Sequence, residues 1–512
     1  IDIKKQYILY IDIKKQYILY IFFSYYITTM NIKTFIFTTI VALFTVHLSI
    51  AKHATVSGND VSDKNVGYGC VIDAGSSGSR IYVYQWPKRN FKSLPIPITE
   101  VYKSPVINKK IKPGISAFVD NPTGAGPSLN PLLTAAKAAI PAAVDLKTVP
   151  IYLGATAGMR VLAPEKSNLI FDSIRSTLKS SGFHFKDKWA RIISGEEEGT
   201  YGWIAANYLK NTLNTGDSEK TYGALDLGGA STQISFTPIE SILANMFPVH
   251  ISSKVDYQIY THSFLYYGVN EAISRFNEKL IADGKTNKNV PNPCYPKGYN
   301  DNGFHGTSDW NTCLSKTLDL FDFNASCYYS DQNAQRRCSF NGIYQPSIQD
   351  GKKFIGMSAF YYTWSFLKLA TGVNSDNLDT LLNEAKSVCK KTFAEQKETN
   401  PSYNQQNQCF NVAYVYHLLY SGYHMDATDT PIEIYSDILG SEVTWSLGAM
   451  MVEANNLSFT YEQNPLYEVL FYITLCVCVA CLIGGLVSFR WLTKKRQPGE
   501  RNVRGNNLKT SL

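Results

Sequence analysis

Two short segments of the chain combine an aspartate with glycine and hydroxyl residues in the same order. DAGSSGSR occupies residues 73–80 and DLGGAST occupies residues 226–232, each between an apolar run and a second, alternating run. An Asp-x-Gly turn between two strands lets a ligand approach the backbone closely, and its N–H groups can surround an anion. One such turn alone would indicate an ordinary hairpin. Two of them, 153 residues apart, predict facing loops that clamp a chain of phosphates.

The carboxylates of the same two segments predict a metal site. Asp73 and Asp226 would lie behind the phosphate loops, where hard oxygen ligands suit a hydrated divalent cation. A P-loop does not compete as the phosphate site, because Lys279 stands where the motif that ends at Gly284-Lys285-Thr286 needs its first glycine.

Three further segments carry candidate functional residues. GATAGMR, at 154–160, follows a predicted strand, and SGEEEG, at 194–199, begins a predicted helix. Three acids at a helix N-terminus often do no more than complement the helix dipole. Here Gly195 and Gly199 flank them, which predicts that the chain passes close to a ligand. The aromatic segment 354–367 is mostly core by its apolar periodicity, with one tyrosine left to stack on a base.

The elements that hold these loops follow one plan, a strand, a Gly-rich turn and a second strand. This plan occurs twice and predicts a duplicated unit. A length of 512 residues predicts two or more domains, and 45% hydrophobic with 18% charged residues excludes a disordered chain. Of the formal net charge of +7, residues 490–512 carry +6 and residues 1–33 carry +3, which leaves −2 for the rest. Nucleic acid is therefore not a predicted partner, because phosphate-driven binding needs a clustered basic face.

Both ends of the chain carry apolar segments. Residues 469–489 contain no charged side chain and precede the basic tail at 490–512, which predicts a transmembrane helix with that tail in the cytosol. A buried core helix is the weaker alternative, because core helices rarely lack a polar face over this length. The shorter apolar segment at 34–50 favours an uncleaved N-terminal transmembrane anchor over a cleaved signal peptide. Either alternative places residues 52–466 across the membrane.

Residues 1–10 recur identically as residues 11–20, and the first methionine is Met30. A perfect duplication without an initiator is typical of translated upstream sequence, whereas a structural repeat is longer and diverges. We interpret residues 1–29 as a non-native or upstream-translated segment and make no fold prediction for them.

The ten cysteines fall into three groups. Cys70 lies in an apolar strand and three cysteines lie in the segment 469–489. The remaining six are Cys294, Cys313, Cys327, Cys338, Cys389 and Cys409. An even set in a translocated domain predicts three disulfides, and pairing neighbours in sequence is the simplest of the 15 connectivities. Zinc is a disfavoured alternative, because the six include no CxxC pair. Sequons at Asn324 and Asn456 predict glycosylation and agree with a lumenal or extracellular face.

Five segments, taken in order, resemble the five apyrase-conserved regions of the ecto-nucleoside triphosphate diphosphohydrolase family. They are DAGSSGSR (73–80), GATAGMR (154–160), SGEEEG (194–199), DLGGAST (226–232) and SAFYY (358–362). The resemblance extends over residues 66–465, and YTHSFL at 260–265 and TWSLG around Trp445 are also similar to that family.

The resemblance implies an α/β, actin-like (ribonuclease H-like) fold of two lobes with the site in the cleft between them. Residues 66–194 and 439–465 would form lobe I, and residues 195–438 would form lobe II. The implied reaction is stepwise removal of the terminal phosphate from nucleoside tri- and diphosphates of the ATP, ADP, UTP and UDP class, with Ca²⁺ or Mg²⁺.

The family's motifs also imply roles for individual residues of this chain, including one general base. Glu198 would activate water for in-line attack on phosphorus, because the attacking water must be held and deprotonated opposite the leaving oxygen. Ser231 and Gln233 would orient that water, and Asp73 and Asp226 would hold the metal through its waters. The implied phosphate-binding residues are Ser76, Ser77, Gly78, Thr156, Ala157, Gly228, Gly229, Ala230 and Ser231. Tyr361 and Tyr362 are the candidates for the nucleobase.

The chain departs from the family pattern at several positions. Gly78 stands where many cell-surface members carry a histidine, and Tyr266 stands where they carry a cysteine. An arginine that can flank the base is absent, with Asn404 near its place. Because whole cysteine pairs are lost, the resemblance implies a free Cys70 and three bridges between neighbours. These are Cys294–Cys313, Cys327–Cys338 and Cys389–Cys409.

The combined prediction is an integral membrane apyrase with an extracellular catalytic domain. One alternative is a lumenal nucleoside diphosphatase of the Golgi or endolysosomal membrane. Others are a nucleotide-binding surface module without turnover, which would not need the base Glu198, and a phosphotransferase, which would need an acceptor pocket that the sequence does not show. Small residues of the C-terminal span, such as Gly484 and Gly485, suggest homo-oligomers through the transmembrane helices, although lipid contact explains them equally well.

Overall fold

A computed structural model describes residues 66–87, 99–100, 110–213, 216–252, 255–328, 337–373, 377–399 and 405–456. The predictions for residues 1–29, 34–50, 469–489 and 490–512 fall outside these ranges. Within them, no helix has both the length and the apolar character needed to cross a bilayer.

The first half of the described chain builds a five-stranded sheet in the order β3-β2-β1-β4-β5. Its strands are β1 (Val66–Gly75), β2 (Gly78–Pro87), β3 (Thr99–Glu100), β4 (Ile151–Ala155) and β5 (Ala190–Ile192). The hairpin β1-β2 is antiparallel, whereas β4 and β5 follow β1 in parallel. The parallel strands read as near-continuous apolar runs because both faces of the sheet are covered.

A six-stranded sheet in the order β14-β13-β6-β7-β9-β8 repeats this plan. Its strands are β6 (Gly223–Leu227), β7 (Ser231–Phe236), β8 (Met246–Ser252), β9 (Val255–Leu265), β13 (Phe354–Ser358) and β14 (Ile432–Ile434). The hairpin β6-β7 is antiparallel, and β13 runs parallel to β6 as β4 does to β1. The fold is therefore mixed α/β with a duplicated unit. Two small sheets contain β10 (Val290–Asn292), β11 (Asn300–Asp301), β12 (Phe304–Gly306), β15 (Asp437–Ile438) and β16 (Ser441–Glu442).

The α-helices connect and cover these sheets. They are α1 (Ala125–Ser128), α2 (Asn130–Ala139), α3 (Ala157–Arg160), α4 (Pro164–Ser180), α5 (Gly195–Leu209), α6 (Val269–Gly284), α7 (Trp310–Leu318), α8 (Ala359–Thr371), α9 (Leu378–Val388), α10 (Phe393–Thr399), α11 (Gln408–Tyr416) and α12 (Trp445–Asn456). Short 3₁₀ turns occupy Ile115–Phe118, Pro122–Gly124, Leu146–Thr148, Asp187–Trp189, Phe340–Gly342 and Gln405–Asn407, and a π-helical turn occupies His417–Gly422.

Helix α5 lies at the centre of the packing. It contacts strands β7 and β9 of the six-stranded sheet and also α12, which in turn packs on β1 of the five-stranded sheet. The two helices approach closely, since a Cβ atom added at Gly448 would lie 2.0 Å from the carbonyl oxygen of Tyr201. Trp203 and Trp445 are buried in the core that these helices share with both sheets. The N-terminus of α5 is thereby fixed relative to both hairpins.

Three disulfides lie in the part of the chain that follows the β7–β9 strands. They join Cys294 to Cys313, Cys327 to Cys338 and Cys389 to Cys409. Cys70 is a free, fully buried thiol within β1.

Candidate active site

The first predicted loop is the turn between β1 and β2, with Ser76 and Ser77 at its tip. Asp73 lies near the end of β1, beside Gly154 of the parallel strand β4. Because parallel strands end at the same edge of a sheet, the segment after β4 lies next to the turn. The backbone N–H of Thr156 donates to the carbonyl oxygen of Ala74 at 3.2 Å.

The second predicted loop is the turn between β6 and β7. Asp226 of β6 pairs with Gln233 of β7 and with Met357 of the parallel strand β13. The two loops meet, since a Cβ atom added at Gly229 would lie 2.6 Å from the hydroxyl oxygen of Ser76. A larger residue at position 229 would thus push the loops apart.

The residues predicted to bind phosphate all lie on these two turns or at the start of α3. The structure places Ser76, Ser77, Gly78, Thr156, Ala157, Gly228, Gly229, Ala230 and Ser231 there. Ser76 and Ser77 are half-buried, whereas Thr156, Ala157, Ala230 and Ser231 are buried. The residues that the sequence patterns single out therefore lie on neighbouring turns of the fold.

The three acids at the start of α5 have three different environments. Glu197 belongs to a capping box with Ser194 and forms a two-pronged ion pair with Arg191, at 2.8 and 2.7 Å. Glu196 is partly exposed, with an oxygen 3.9 Å from a ring nitrogen of His262. Glu198 alone is buried, with 8% of its surface exposed. A structural role explains Glu197, and only Glu198 faces the two loops.

The glycines that flank these acids serve packing within the fold. A Cβ atom at Gly195 would lie 2.1 Å from the Cβ of Ser263, and one at Gly199 would lie 2.6 Å from the hydroxyl oxygens of Ser235 and Thr261. Their lack of a side chain lets strands β7 and β9 approach the start of α5. That the chain passes close to a ligand here stays a prediction.

Glu198 is held by Arg160, whose side chain is partly buried. Its Oε2 accepts a hydrogen bond from Arg160 Nη2 at 2.6 Å, and Arg160 Nε donates to the carbonyl oxygen of Ile193 at 2.9 Å. Burial raises the pKa of Glu198 to about 7, and the charges of Asp226 and Asp73 act in the same direction, while Arg160 lowers it. A carboxylate whose pKa lies near neutrality is suited to accept a proton from water. The third arginine nitrogen, Nη1, is buried without a hydrogen-bond partner.

The side-chain amide of Gln233 joins the base to the second loop. Its Nε2 lies 2.8 Å from the hydroxyl oxygen of Ser231, 2.8 Å from that of Ser263 and 3.3 Å from Glu198 Oε2. Its Oε1 is buried and lacks a partner. Glu198, Ser231 and Gln233 thus form one polar cluster with donors and acceptors left for a water molecule. Ser263 was not predicted as a site residue, although it lies in the YTHSFL segment, which is similar to the family pattern.

Asp73 and Asp226 form a pair of carboxylates whose pKa values are both raised by burial. Burial raises the pKa of Asp73 to about 6, with Arg80 and Lys110 opposing it and Asp226 adding to it. Burial also raises the pKa of Asp226, against a hydrogen bond from Ser358 that lowers it. Asp226 Oδ1 is buried and has no partner.

This donor set fits a hard divalent cation held largely through water. Two carboxylates, one with an unpartnered oxygen, are the ligand type that Ca²⁺ and Mg²⁺ prefer. Among the residues that the structure describes, no cluster of three or more His, Cys, Asp or Glu side chains could enclose a metal directly. Water molecules and ligand oxygens would have to complete the coordination of a bound cation.

Ser358 is a second site residue without a predicted role. It ends β13 with φ 58° and ψ −120°, a backbone conformation that non-glycine residues rarely adopt. Its side chain forms a hydrogen bond with the carboxylate of Asp226. Backbone strain of this kind persists where the surrounding structure enforces it, often at functional sites.

The two tyrosines predicted for the nucleobase lie on the first turn of α8. The rings of Tyr361 and Tyr362 meet edge to face with centroids 5.5 Å apart, and Tyr362 is half exposed. Tyr362 also lies near Arg80, the residue opposite Asp73 on β2. The pair therefore stands at the open rim of the site, on an element from the other sheet.

Known proteins match this chain along most of its length. Human ectonucleoside triphosphate diphosphohydrolase 3 is 34% identical over 84% of this chain and 86% of its own length. Probable apyrase 5 of Arabidopsis thaliana is 32% identical over 77% of this chain and 84% of its own. A crystal structure of nucleoside triphosphate hydrolases from Neospora caninum superposes with a TM-score of 0.52, at 16% identity, over 81% of this chain and 96% of that one. The family described as GDA1/CD39 (nucleoside phosphatase) matches residues 59–466. The chain belongs to the GDA1/CD39 nucleoside phosphatase family.

Proposed function

We propose that this chain is a membrane-anchored apyrase, which hydrolyses nucleoside tri- and diphosphates stepwise to the monophosphate and orthophosphate. The observation that carries the proposal is the buried carboxylate of Glu198, bonded to Arg160 and adjoining Gln233, in front of two facing hairpin turns. The names of the human and Arabidopsis relatives support the same reaction.

The phosphate chain would lie between the two turns. The backbone N–H groups around Ser76 and Gly229, with the hydroxyls of Thr156 and Ser231, supply donors to its oxygens. Since the turns touch at Ser76 and Gly229, a phosphate can contact both hairpins at once.

The chemical step is an attack of water on the terminal phosphorus. Gln233 and Ser231 orient the water, and Glu198 accepts its proton as the oxygen–phosphorus bond forms. The bond from phosphorus to the bridging oxygen breaks, and the shortened nucleotide leaves with that oxygen. Arg160 holds the base in place, and no covalent intermediate on the protein is needed. The same step on the diphosphate yields the monophosphate.

Asp73 and Asp226 would hold a Ca²⁺ or Mg²⁺ ion through its waters, with Ser358 orienting the second carboxylate. When bound, such an ion neutralises charge on the phosphate oxygens. The nucleobase would rest on Tyr361 or Tyr362 at the rim, since aromatic faces stack on any base.

The site would lie in the cleft of an actin-like fold. Lobe I would contain residues 66–194 and 439–465, with the five-stranded sheet and α12, and lobe II would contain residues 195–438, with the six-stranded sheet and α5. The duplicated strand order supports this division, since each sheet contributes one phosphate turn.

The membrane would be reached through the apolar segments 34–50 and 469–489, with the tail 490–512 in the cytosol. The catalytic domain would then be extracellular, or lumenal in the Golgi or endolysosomal alternative. Asn324 is exposed near the Cys327–Cys338 bridge and accessible to a glycan, and Asn456 would be a second acceptor. Homo-oligomers would form through the transmembrane helices.

The proposal is tested by phosphate release from ATP, ADP and AMP on intact expressing cells, with Mg²⁺, with Ca²⁺ and with EDTA. The variant Glu198→Gln removes the base with little change in shape, and Glu196→Gln is a matched control one residue away on the partly exposed side. We expect metal-dependent release from ATP and ADP but not AMP, lost in Glu198→Gln and kept in Glu196→Gln.

Near-normal release by Glu198→Gln would refute the assignment of the base. Activity that appears only after permeabilisation would move the catalytic domain to an internal lumen. No nucleotide hydrolysis in either preparation of a folded, expressed protein would refute the apyrase proposal.

A further inference from the structure

Lys110 lies beside the first phosphate turn, although it is 33 residues from it in sequence. An isolated bridge fixes the neighbouring backbone: Ser79 N–H donates to Ile111 O, and Ile111 N–H donates to Ser79 O, each at 3.0 Å. From there the ammonium group of Lys110 donates a hydrogen bond to the hydroxyl oxygen of Ser77, at the tip of the turn.

Gly78 makes room for this lysine. A Cβ atom added at position 78 would lie 2.4 Å from Ile111 O, 2.6 Å from Lys110 Cε and 2.7 Å from Lys110 Cγ. A side chain at this position would meet both the backbone of Ile111 and the stem of Lys110, and φ of 155° at position 78 also favours glycine. Glycine at 78 therefore lets residues 110 and 111 approach the turn.

The charges near Lys110 are of both signs. Asp73 attracts its ammonium, while Arg80 and Lys112 repel it, and the side chain is half-buried. The carboxylate of Asp73 is also influenced by Arg80, so that Lys110 is not its sole compensating charge. An ammonium group has three donors, and the hydrogen bond to Ser77 uses one of them.

We propose that Lys110 binds oxygens of the substrate's phosphate chain, and that Gly78 is the residue that permits this contact. The inference rests on the proposed function, because the phosphate turn is the same one. It names a specificity-determining side chain for the polyphosphate part of the substrate, where a compact cation adds charge to a turn that otherwise offers N–H and O–H groups.

The experiment measures equilibrium binding by calorimetry on the full-length protein in the Glu198→Gln background, with Mg²⁺ present. The probes are ATP and inorganic pyrophosphate, which share phosphate oxygens, and adenosine, which has none. The variants are Lys110→Met, Lys110→Arg and Gly78→Ala, with Lys112→Met as the matched control, since Lys112 is an exposed lysine two residues away.

We expect Lys110→Met to weaken the binding of ATP and pyrophosphate by on the order of tenfold to a hundredfold, the range for one charge-assisted hydrogen bond. Gly78→Ala should weaken both as well, because it displaces Lys110. Lys110→Arg should retain most of the affinity, and Lys112→Met and adenosine binding should change little.

Equal binding of both phosphate probes by Lys110→Met and Lys112→Met, with unchanged melting temperatures, would overturn the inference and leave Lys110 as a counter-charge of Asp73. If Lys110→Met does not fold, Lys110→Gln and Gly78→Ala test the same contact. Residual hydrolysis in the Glu198→Gln background would contradict the proposed base instead, so the two failures are distinguishable.

Discussion

The ion pair between Arg160 and Glu198 sets the pH at which the proposed base works. Replacing Arg160 by Met removes a cation 2.6 Å from the carboxylate in a buried site. An adjacent opposite charge lowers a carboxyl pKa by about 1–3. The pKa of Glu198, already raised to about 7 by burial, should therefore rise by about one pH unit or more in the variant.

The consequence is a shifted pH profile. The rate falls as pH drops through the pKa of the base, because only the ionised carboxylate accepts a proton. Arg160→Met should move the acid limb of kcat/KM for ATP toward higher pH. Activity at pH 7 should fall about fivefold for the first unit of pKa rise and about tenfold for each further unit. Activity near pH 9.5 should recover to within a few-fold of the wild type. The assay is phosphate release from pH 5.5 to 9.5 at saturating Mg²⁺.

The control is Arg160→Lys, which keeps the charge and should keep the limb close to its original position. A cation bound near Asp73 and Asp226 lowers the pKa of Glu198 in every variant alike, so the comparison uses the difference between profiles. A loss of rate that is equal at all pH values would refute the reasoning. Arg160 would then act on the phosphate through its unpartnered Nη1, and not on the base.

Two further predictions concern the proposed metal site and the proposed nucleobase site. Asp226→Asn should abolish stabilisation by Mg²⁺ yet raise the melting temperature of the EDTA-treated protein at pH 8. Burial raises the pKa of Asp226, so its charge costs folding stability at that pH. A lower melting temperature with EDTA, or retained stabilisation by Mg²⁺, would contradict this prediction. Tyr362→Ala should raise KM for ATP on the order of tenfold, the loss of one stacked base, while hydrolysis of inorganic triphosphate stays unchanged. Tyr362→Phe is the control, and an equal effect on both substrates would argue against stacking.

Local chemistry made the two phosphate turns predictable. Asp, Gly and Ser between alternating apolar runs specify hairpins within about 20 residues, so both turns could be predicted before any tertiary structure. The predicted duplication also appears, because each large sheet contains an antiparallel hairpin whose first strand pairs in parallel with a later strand. The choice of Glu198 among three acids came from the resemblance and stays a prediction. In the structure Glu198 differs from its neighbours, because Glu197 is paired with Arg191 and Glu196 is partly exposed.

The remaining site residues depend on contacts between distant segments. Ser263 reaches Gln233 only because β9 lies beside β7, and Ser358 reaches Asp226 only because β13 pairs with β6. Lys110 reaches its turn through a single bridge. Local patterns contain no information on such pairings, since each depends on register between strands.

The buried carboxylate of Glu198 lowers the stability of the folded state at neutral pH. Glu198 has a folded pKa of about 7 against an ordinary value of 4.5, so protonation favours the folded state, and that stability is lost as pH rises from about 4.5 through 7. The difference corresponds to about 3 kcal/mol at neutral pH, a large fraction of the typical net stability of a domain. The apolar core around α5, with the fully buried Trp203, offsets it. The well-packed helix α5 therefore keeps the carboxylate of Glu198 away from water. In that buried position its pKa is near neutrality, as a general base requires.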